Sequence, residues 1–253
     1  MTRTVTRTAW NPGRTVSWGG GVDRPARSPA PARGPARGGG AAPGGCAGAA
    51  VWGLDGYSGG GAATAWAAQL QPTYAPELSF AGAAIGGVPA DLTAVTTRFD
   101  GSIFSGYNFG ILVAFDREYP EAGIGDLLDA RGHSALAAAG DACVTDLLVT
   151  FAFRRLDDYD LGTGLLQSPQ FAQVLRDNSP GATAPAMPIF NYHADTDEIV
   201  PVDQADQLMA RWRAGGTTIE TVRDPLGEHG LEALRRAPDA QAFLADRMAA
   251  ADR

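Results

Sequence analysis

The sequence predicts an α/β protein with a mostly parallel sheet, on three observations. From Ala47 onward, short apolar runs alternate with stretches of helical pattern, as strands joined by covering helices do. A glycine-rich turn at residues 56–60 follows one such run and opens one such helical stretch. No stretch approaches 18 consecutive apolar residues, so none is long enough for a membrane-spanning helix. The 253 residues allow one large domain or two small ones, and 45% hydrophobic with 19% charged residues is a globular profile rather than a disordered one.

Residues 1–50 hold 11 Gly and 6 Pro, with the run PARSPAPARGPARGGGAAPGG lacking any period of 2 or 3.6. Such a segment buries too little apolar surface to offset its ordering entropy, and residues 1–46 are expected to form a disordered tail. The tail has Arg at its start but no apolar run of 7–15 residues, so it does not read as a secretory signal peptide. An Arg-Gly-Pro tract can bind RNA or anionic surfaces. Without interleaved aromatics for base stacking, a solvated tail is the better reading.

Every one of the 20 basic residues is Arg. The absence of Lys removes Schiff-base chemistry and the phosphate-binding P-loop. Residues 1–50 carry a net charge of +6 and the remainder −14. An acidic body of that kind repels phosphate backbones, so no nucleic-acid partner is expected. Cys46 and Cys143 allow at most one disulfide and suit no zinc site.

Within residues 47–253 the expected strands are 49–54, 78–85, 188–193 and 217–223. Small residues from Ala62 to Ala68 around Trp66 and Leu70 give a slim helix that Pro72 should end. Residues 202–214 place Ala205, Leu208, Met209 and Trp212 on one face before Gly215 and Gly216 stop the helix. Residues 239–250 repeat the helical pattern with Phe243, Leu244 and Met248. Residues from about 91 to 186 interrupt the alternation with helical pattern, as at 104–115, at 141–153, and in a helix with Ser168 as N-cap and Pro169 first. An all-helical insertion between two strands reads as a lid. The alternative is a second packing layer without gating.

Gly56-Tyr57-Ser58-Gly59-Gly60 is a G-x-S-x-G turn between a strand and a helix, where glycines permit a sharp bend that holds the serine hydroxyl out above the sheet. The helix N-terminus directs backbone N–H groups at an oxyanion formed there. A serine nucleophile needs a base, normally a histidine held by a carboxylate. Of the three histidines, His133 falls in the helical insertion, where an exposed residue is expected. His229, on a loop after the last strand, is the base candidate. The carboxylate must come from the turn His193-Ala194-Asp195-Thr196-Asp197-Glu198. Asp197 is preferred because Ile199-Val200-Pro201 anchors the loop behind it, and Asp195 is the reserve. His193, Asp195, Asp197 and Glu198 also resemble a metal-binding set. They share one short turn with no second cluster, so no metal is expected.

The run GYSGGGAATAWAAQLQPTYAPEL, then GAAIGGVPADL, YHADTDEIVP and GEHG, in that order, resembles the secretory lipase family of α/β-hydrolases, the Candida antarctica lipase A type. The resemblance runs from about Val51 to the C-terminus. It implies a catalytic triad of Ser58, Asp197 and His229, an oxyanion donor at Gly59, and a lid formed by the insertion. It further implies secretion and cofactor-free hydrolysis of acylglycerols and other carboxylic esters at a lipid–water interface, through an acyl-enzyme. A peptidase or acyltransferase on the same scaffold, and a non-catalytic remnant, are the alternatives. The pattern departs from the family in placing the elbow at residue 58. A partial α/β-hydrolase sheet is therefore expected, without its N-terminal strands or second oxyanion donor, behind a truncated or mistranslated N-terminus. A chain so shortened should fold poorly and turn over weakly.

Overall fold

A computed structural model describes residues 9–11, 14–16 and 51–251. Within the expected tail, β1 (Ala9–Asn11) and β2 (Arg14–Val16) pair as a short antiparallel ladder. The rest of the expectation of disorder lies outside the described residues.

Four strands, β3 (Val51–Tyr57), β4 (Ser79–Gly86), β5 (Ile189–Ala194) and β6 (Ile219–Asp224), form one parallel sheet in the order β3-β4-β5-β6. Each starts one or two residues later than the apolar runs suggest. Side chains alternate between the sheet's faces. Leu54, Ala83, Ile85 and Ile189 pack on one side with Ala65 and Ala68 of α1 (Gly59–Tyr74) and with Leu208, Met209 and Trp212 of α7 (Val202–Ala214). Ala84, Phe190 and Tyr192 pack on the other with Ala240, Phe243 and Leu244 of α8 (His229–Ala251). Burying a Leu or Phe side chain fully contributes about 1.5–3 kcal/mol, so these two clusters fix the strand register. Among the described residues β3 is an edge of this sheet, paired only with β4.

Two helices run past a proline, the first past one expected to end it. Pro72 lies in the last turn of α1, where the amide of Gln71 donates to the carbonyls of Ala75 and Leu78 and ties down the chain beyond. Pro238 sits inside α8 on its exposed side, where a carbonyl freed of its usual partner can be hydrated. The helix expected at 239–250 is thus the later part of a longer one. That longer helix begins at His229, which therefore opens a helix instead of lying on a loop.

Between β4 and β5 the chain forms α2 (Leu92–Phe99), α3 (Gly106–Glu118), α4 (Ala130–Gly140), α5 (Val144–Thr150) and α6 (Pro169–Asp177). The helix expected at 141–153 shortens to α5. The Ser168 hydroxyl caps α6 by accepting from the Phe171 N–H. These helices share a core of their own, with Phe109 stacked on Phe151 and Phe115 packed edge-on against Phe171. Polar side chains of the sheet layer stitch this cap down through its backbone. Trp66 donates to the Asn178 carbonyl at 3.1 Å, Gln69 accepts from the Gly181 N–H at 2.7 Å, and Gln204 accepts from the Asp91 N–H at 2.8 Å.

Candidate active site

Parallel register brings Tyr57, Gly86 and Tyr192 side by side at the carboxyl ends of their strands. Ser58 leaves β3 there with φ 54° and ψ −124°, a backbone conformation that non-glycine residues rarely adopt and that sets a side chain at a sharp strand-to-helix turn. Its N–H donates to the Gly86 carbonyl at 2.9 Å, and its own carbonyl accepts from Ala62 at 3.0 Å to start α1. The glycines of the turn have unequal roles. A Cβ on Gly56 would lie 2.2 Å from the Gly60 carbonyl oxygen, and one on Gly61 would lie 2.7 Å from that of Gly86. At Gly59 and Gly60 a Cβ meets open space. Close approach thus needs Gly56 and Gly61, whereas the sequence pattern points to Gly56 and Gly60.

Ser58 is the N-cap of α1 by position but makes no side-chain capping bond. Its Oγ lies instead 2.9 Å from Nε2 of His229, whose Nδ1 is 2.7 Å from Oδ2 of Asp197. Gly59 is the first residue of α1, where backbone N–H groups have no partner within the helix. Asp197 lies in the turn after β5 and its side chain is fully buried. Oδ1 accepts from the N–H groups of Ile199 at 2.9 Å and Val200 at 2.7 Å. Burial alone would raise this carboxyl. The contacts from His193 and His229 and the Val200 N–H outweigh burial and hold it well below the usual carboxylate range.

The other candidates do not converge on that point. Asp195 and His133 are exposed. Glu198 turns toward the start of α8, where its Oε2 accepts from the His229 N–H at 3.1 Å. His193 is buried beside Asp197. Among the described residues no group of three or more His, Cys, Asp and Glu side chains could hold a metal ion.

Two contacts on this array have no counterpart in the sequence reading. The Tyr57 hydroxyl donates to the His229 carbonyl at 2.6 Å, and Nε2 of His193 bonds the Val200 carbonyl at 2.9 Å. Tyr57 occupies the unspecified position of the G-x-S-x-G pattern, and His193 lies four residues before Asp197. Those positions are the only signal either residue gives.

Ser58 opens into a cavity of about 270 Å³ between α1 and the cap, lined mainly by apolar side chains including Trp66, Val95, Phe99, Ile111 and Phe115. A larger recess of about 510 Å³ lies away from Ser58, between β5, β6 and α8, and is edged by Glu220, Asp239, Asp246 and Arg247. A hydroxyl in reach of a buried imidazole–carboxylate pair, facing an apolar slot, is an arrangement suited to nucleophilic attack on an acyl group.

A parallel sheet presenting serine, carboxylate and histidine beyond its strand ends makes this an α/β-hydrolase fold. Candida antarctica lipase A in its closed state superposes with a TM-score of 0.76 at 27% identity, over 80% of this chain and 50% of that one. A rice cell wall degrading esterase from Xanthomonas oryzae superposes at 0.61 with 17% identity, over 80% and 59%, a likeness of fold. Within that class the chain belongs to the secretory lipase family, whose model matches residues 43–252. Lipase 5 of Candida albicans is 34% identical over 203 residues, covering 76% of this chain and 44% of that protein. A secreted triacylglycerol lipase of Malassezia restricta is 33% identical over 203 residues, covering 76% and 43%. The chain thus spans less than half the length of these two relatives.

Proposed function

We propose that the chain is a serine hydrolase of carboxylic esters, acting on acylglycerols through an acyl-enzyme. The observation that carries this reading is the continuous array from Ser58 Oγ through His229 to Asp197, at 2.9 and 2.7 Å, at the mouth of an apolar cavity. Ser58 attacks the ester carbonyl while His229 Nε2 takes the hydroxyl proton. The N–H of Gly59 stabilises the oxyanion, and the imidazolium returns its proton to the departing alcohol. Water, activated by the same imidazole, then releases the acid. Asp197 keeps Nδ1 protonated and faces the imidazolium charge. No cofactor takes part.

Membership in the secretory lipase family supports the substrate class, and the relative from Malassezia restricta, named as secreted, supports an extracellular site of action at a lipid–water interface. The cap over the cavity is assigned as a lid that shields the acyl slot in water. A second reading, a non-catalytic remnant, is favoured by one observation: the strand carrying Ser58 has a neighbour on one side only among the described residues. A fluorophosphonate probe separates the two. Labelling of the folded chain that is lost in Ser58→Ala supports the hydrolase, and no labelling of folded protein supports the remnant.

A further inference from the structure

His193 is the last but one residue of β5, fully buried, and takes no part in the proton transfers above. A buried imidazole is costly unless its polar atoms find partners. Among the described residues its Nδ1 finds none. There its polar contacts run through Nε2, 2.9 Å from the Val200 carbonyl and 3.1 Å from Oδ2 of Asp197. A carbonyl and a carboxylate can only accept, so Nε2 carries a proton.

Both groups that Nε2 meets belong to the acid turn. Val200 is the residue whose N–H donates to Oδ1 of Asp197 at 2.7 Å, and Oδ2 is the oxygen that faces His229. One N–H therefore grips the turn on both sides of the carboxylate. It holds the carbonyl of the residue whose N–H fixes Oδ1 and sets a positive hydrogen edge against Oδ2. The charged groups around the imidazole are Asp197 on its own turn and, from α8, the buried carboxylate of Glu232, with Asp224 and Arg236 beyond it. A phenylalanine or leucine would fill the same space without the buried polar atoms.

We propose that His193 is a positioning residue for the Asp197–His229 pair, clamping the acid turn through its Nε2–H. This rests on the serine hydrolase reading and adds a fourth residue to the Ser58 array. It acts through Asp197 and never touches substrate. Removing its donor leaves the Val200 carbonyl and the inner side of Asp197 short of a partner, so the carboxylate loses its fixed direction toward Nδ1 of His229.

The test compares His193→Leu and His193→Gln with the wild-type chain on a soluble p-nitrophenyl ester. His193→Leu should lower kcat by about 10- to 100-fold with KM within about twofold, as expected for loss of a hydrogen bond beside a charge. His193→Gln, whose side-chain amide can still donate to the turn, should recover most of kcat. A low-field proton resonance from the His229–Asp197 bond should broaden in the Leu variant and return with Gln. In ¹⁵N-histidine-labelled wild type, His193 should show a protonated Nε2. A protonated Nδ1 with a bare Nε2 overturns the proposal without any variant. So does a Leu variant with wild-type kcat, or a Gln variant that falls as far as Leu at unchanged Tm. Lack of Ser58-dependent turnover by the wild type overturns the hydrolase reading instead, and the nitrogen spectrum then still reports on the clamp.

Discussion

The Tyr57 hydroxyl hydrogen-bonds the backbone carbonyl of His229 at 2.6 Å, joining the residue before the serine to the residue that contacts it. Burial, then the negative charges of Asp197 and Glu232, push this hydroxyl well above the usual tyrosine range, so it stays a donor at any working pH. Tyr57→Phe removes the side-chain donor to the carbonyl of the first residue of α8. The expected result is a loss of about 1 kcal/mol of stability by denaturant titration and a fall in kcat of roughly tenfold from a displaced base, with KM nearly unchanged.

Asp197→Asn keeps an oxygen for the N–H groups of Ile199 and Val200 and can turn its amide toward His229. That arrangement favours the wrong tautomer of the imidazole. Ester turnover should fall by about 10³- to 10⁴-fold while circular dichroism stays native. An Asn variant within tenfold of wild type would overturn the role of Asp197 as the acid.

Gly56→Ala would place a methyl group 2.2 Å from the Gly60 carbonyl and 2.3 Å from the Thr64 hydroxyl, so β3 and α1 must part. Its expected outcome is loss of probe labelling at Ser58 together with a lower Tm. Gly60→Ala enters open space inside a helix. It should raise stability by about 0.5–1 kcal/mol and keep labelling.

Glu232 is fully buried in α8, and its carboxyl is raised above 4.5 by burial first and by Asp224 second, against Arg236 and Arg235. A carboxyl raised in the folded state contributes stability below its unfolded value, and that contribution is lost as pH rises through the folded value. Glu232→Gln should therefore raise Tm at pH 7 and leave it nearly unchanged at pH 4. A lower Tm at pH 7 would mean that Arg236 holds the ionised form in place.

Val149 and Phe153 on the cap are 77% and 68% exposed. Exposed apolar side chains on the cap suit contact with lipid. Val149→Ser with Phe153→Ser should lower activity on emulsified triacylglycerol several-fold and leave a soluble short-chain ester unaffected. Equal losses on both substrates would argue for a fixed packing layer.

The sheet was legible because β5 is an unbroken buried run and because α7 keeps its apolar residues on one face. Ser58, Asp197 and His229 were legible because the bend, the acidic turn and the late histidine come in a fixed order along the chain. Pro72 misled because a proline's cost depends on whether the freed carbonyl is solvated, which tertiary exposure decides. The bonds of Tyr57 and His193 could not be read from the sequence because each is made to a backbone carbonyl, and carbonyls are the same at every position. The glycine at 61 escaped the motif because its neighbour, the Gly86 carbonyl, comes from another strand.

Val200 holds Asp197 by its N–H and His193 by its carbonyl, while its side chain lies in the cap's core with Val95, Phe115 and Phe171. The cap can therefore not drift freely in evolution. A change of volume among its aromatic residues that shifted Val200 would be felt at the carboxylate, through both of its peptide groups. Substitutions that resize the slot for a different acyl chain should come paired with a compensating change near residue 200. Directed libraries that vary cap residues alone should lose rate before they lose binding.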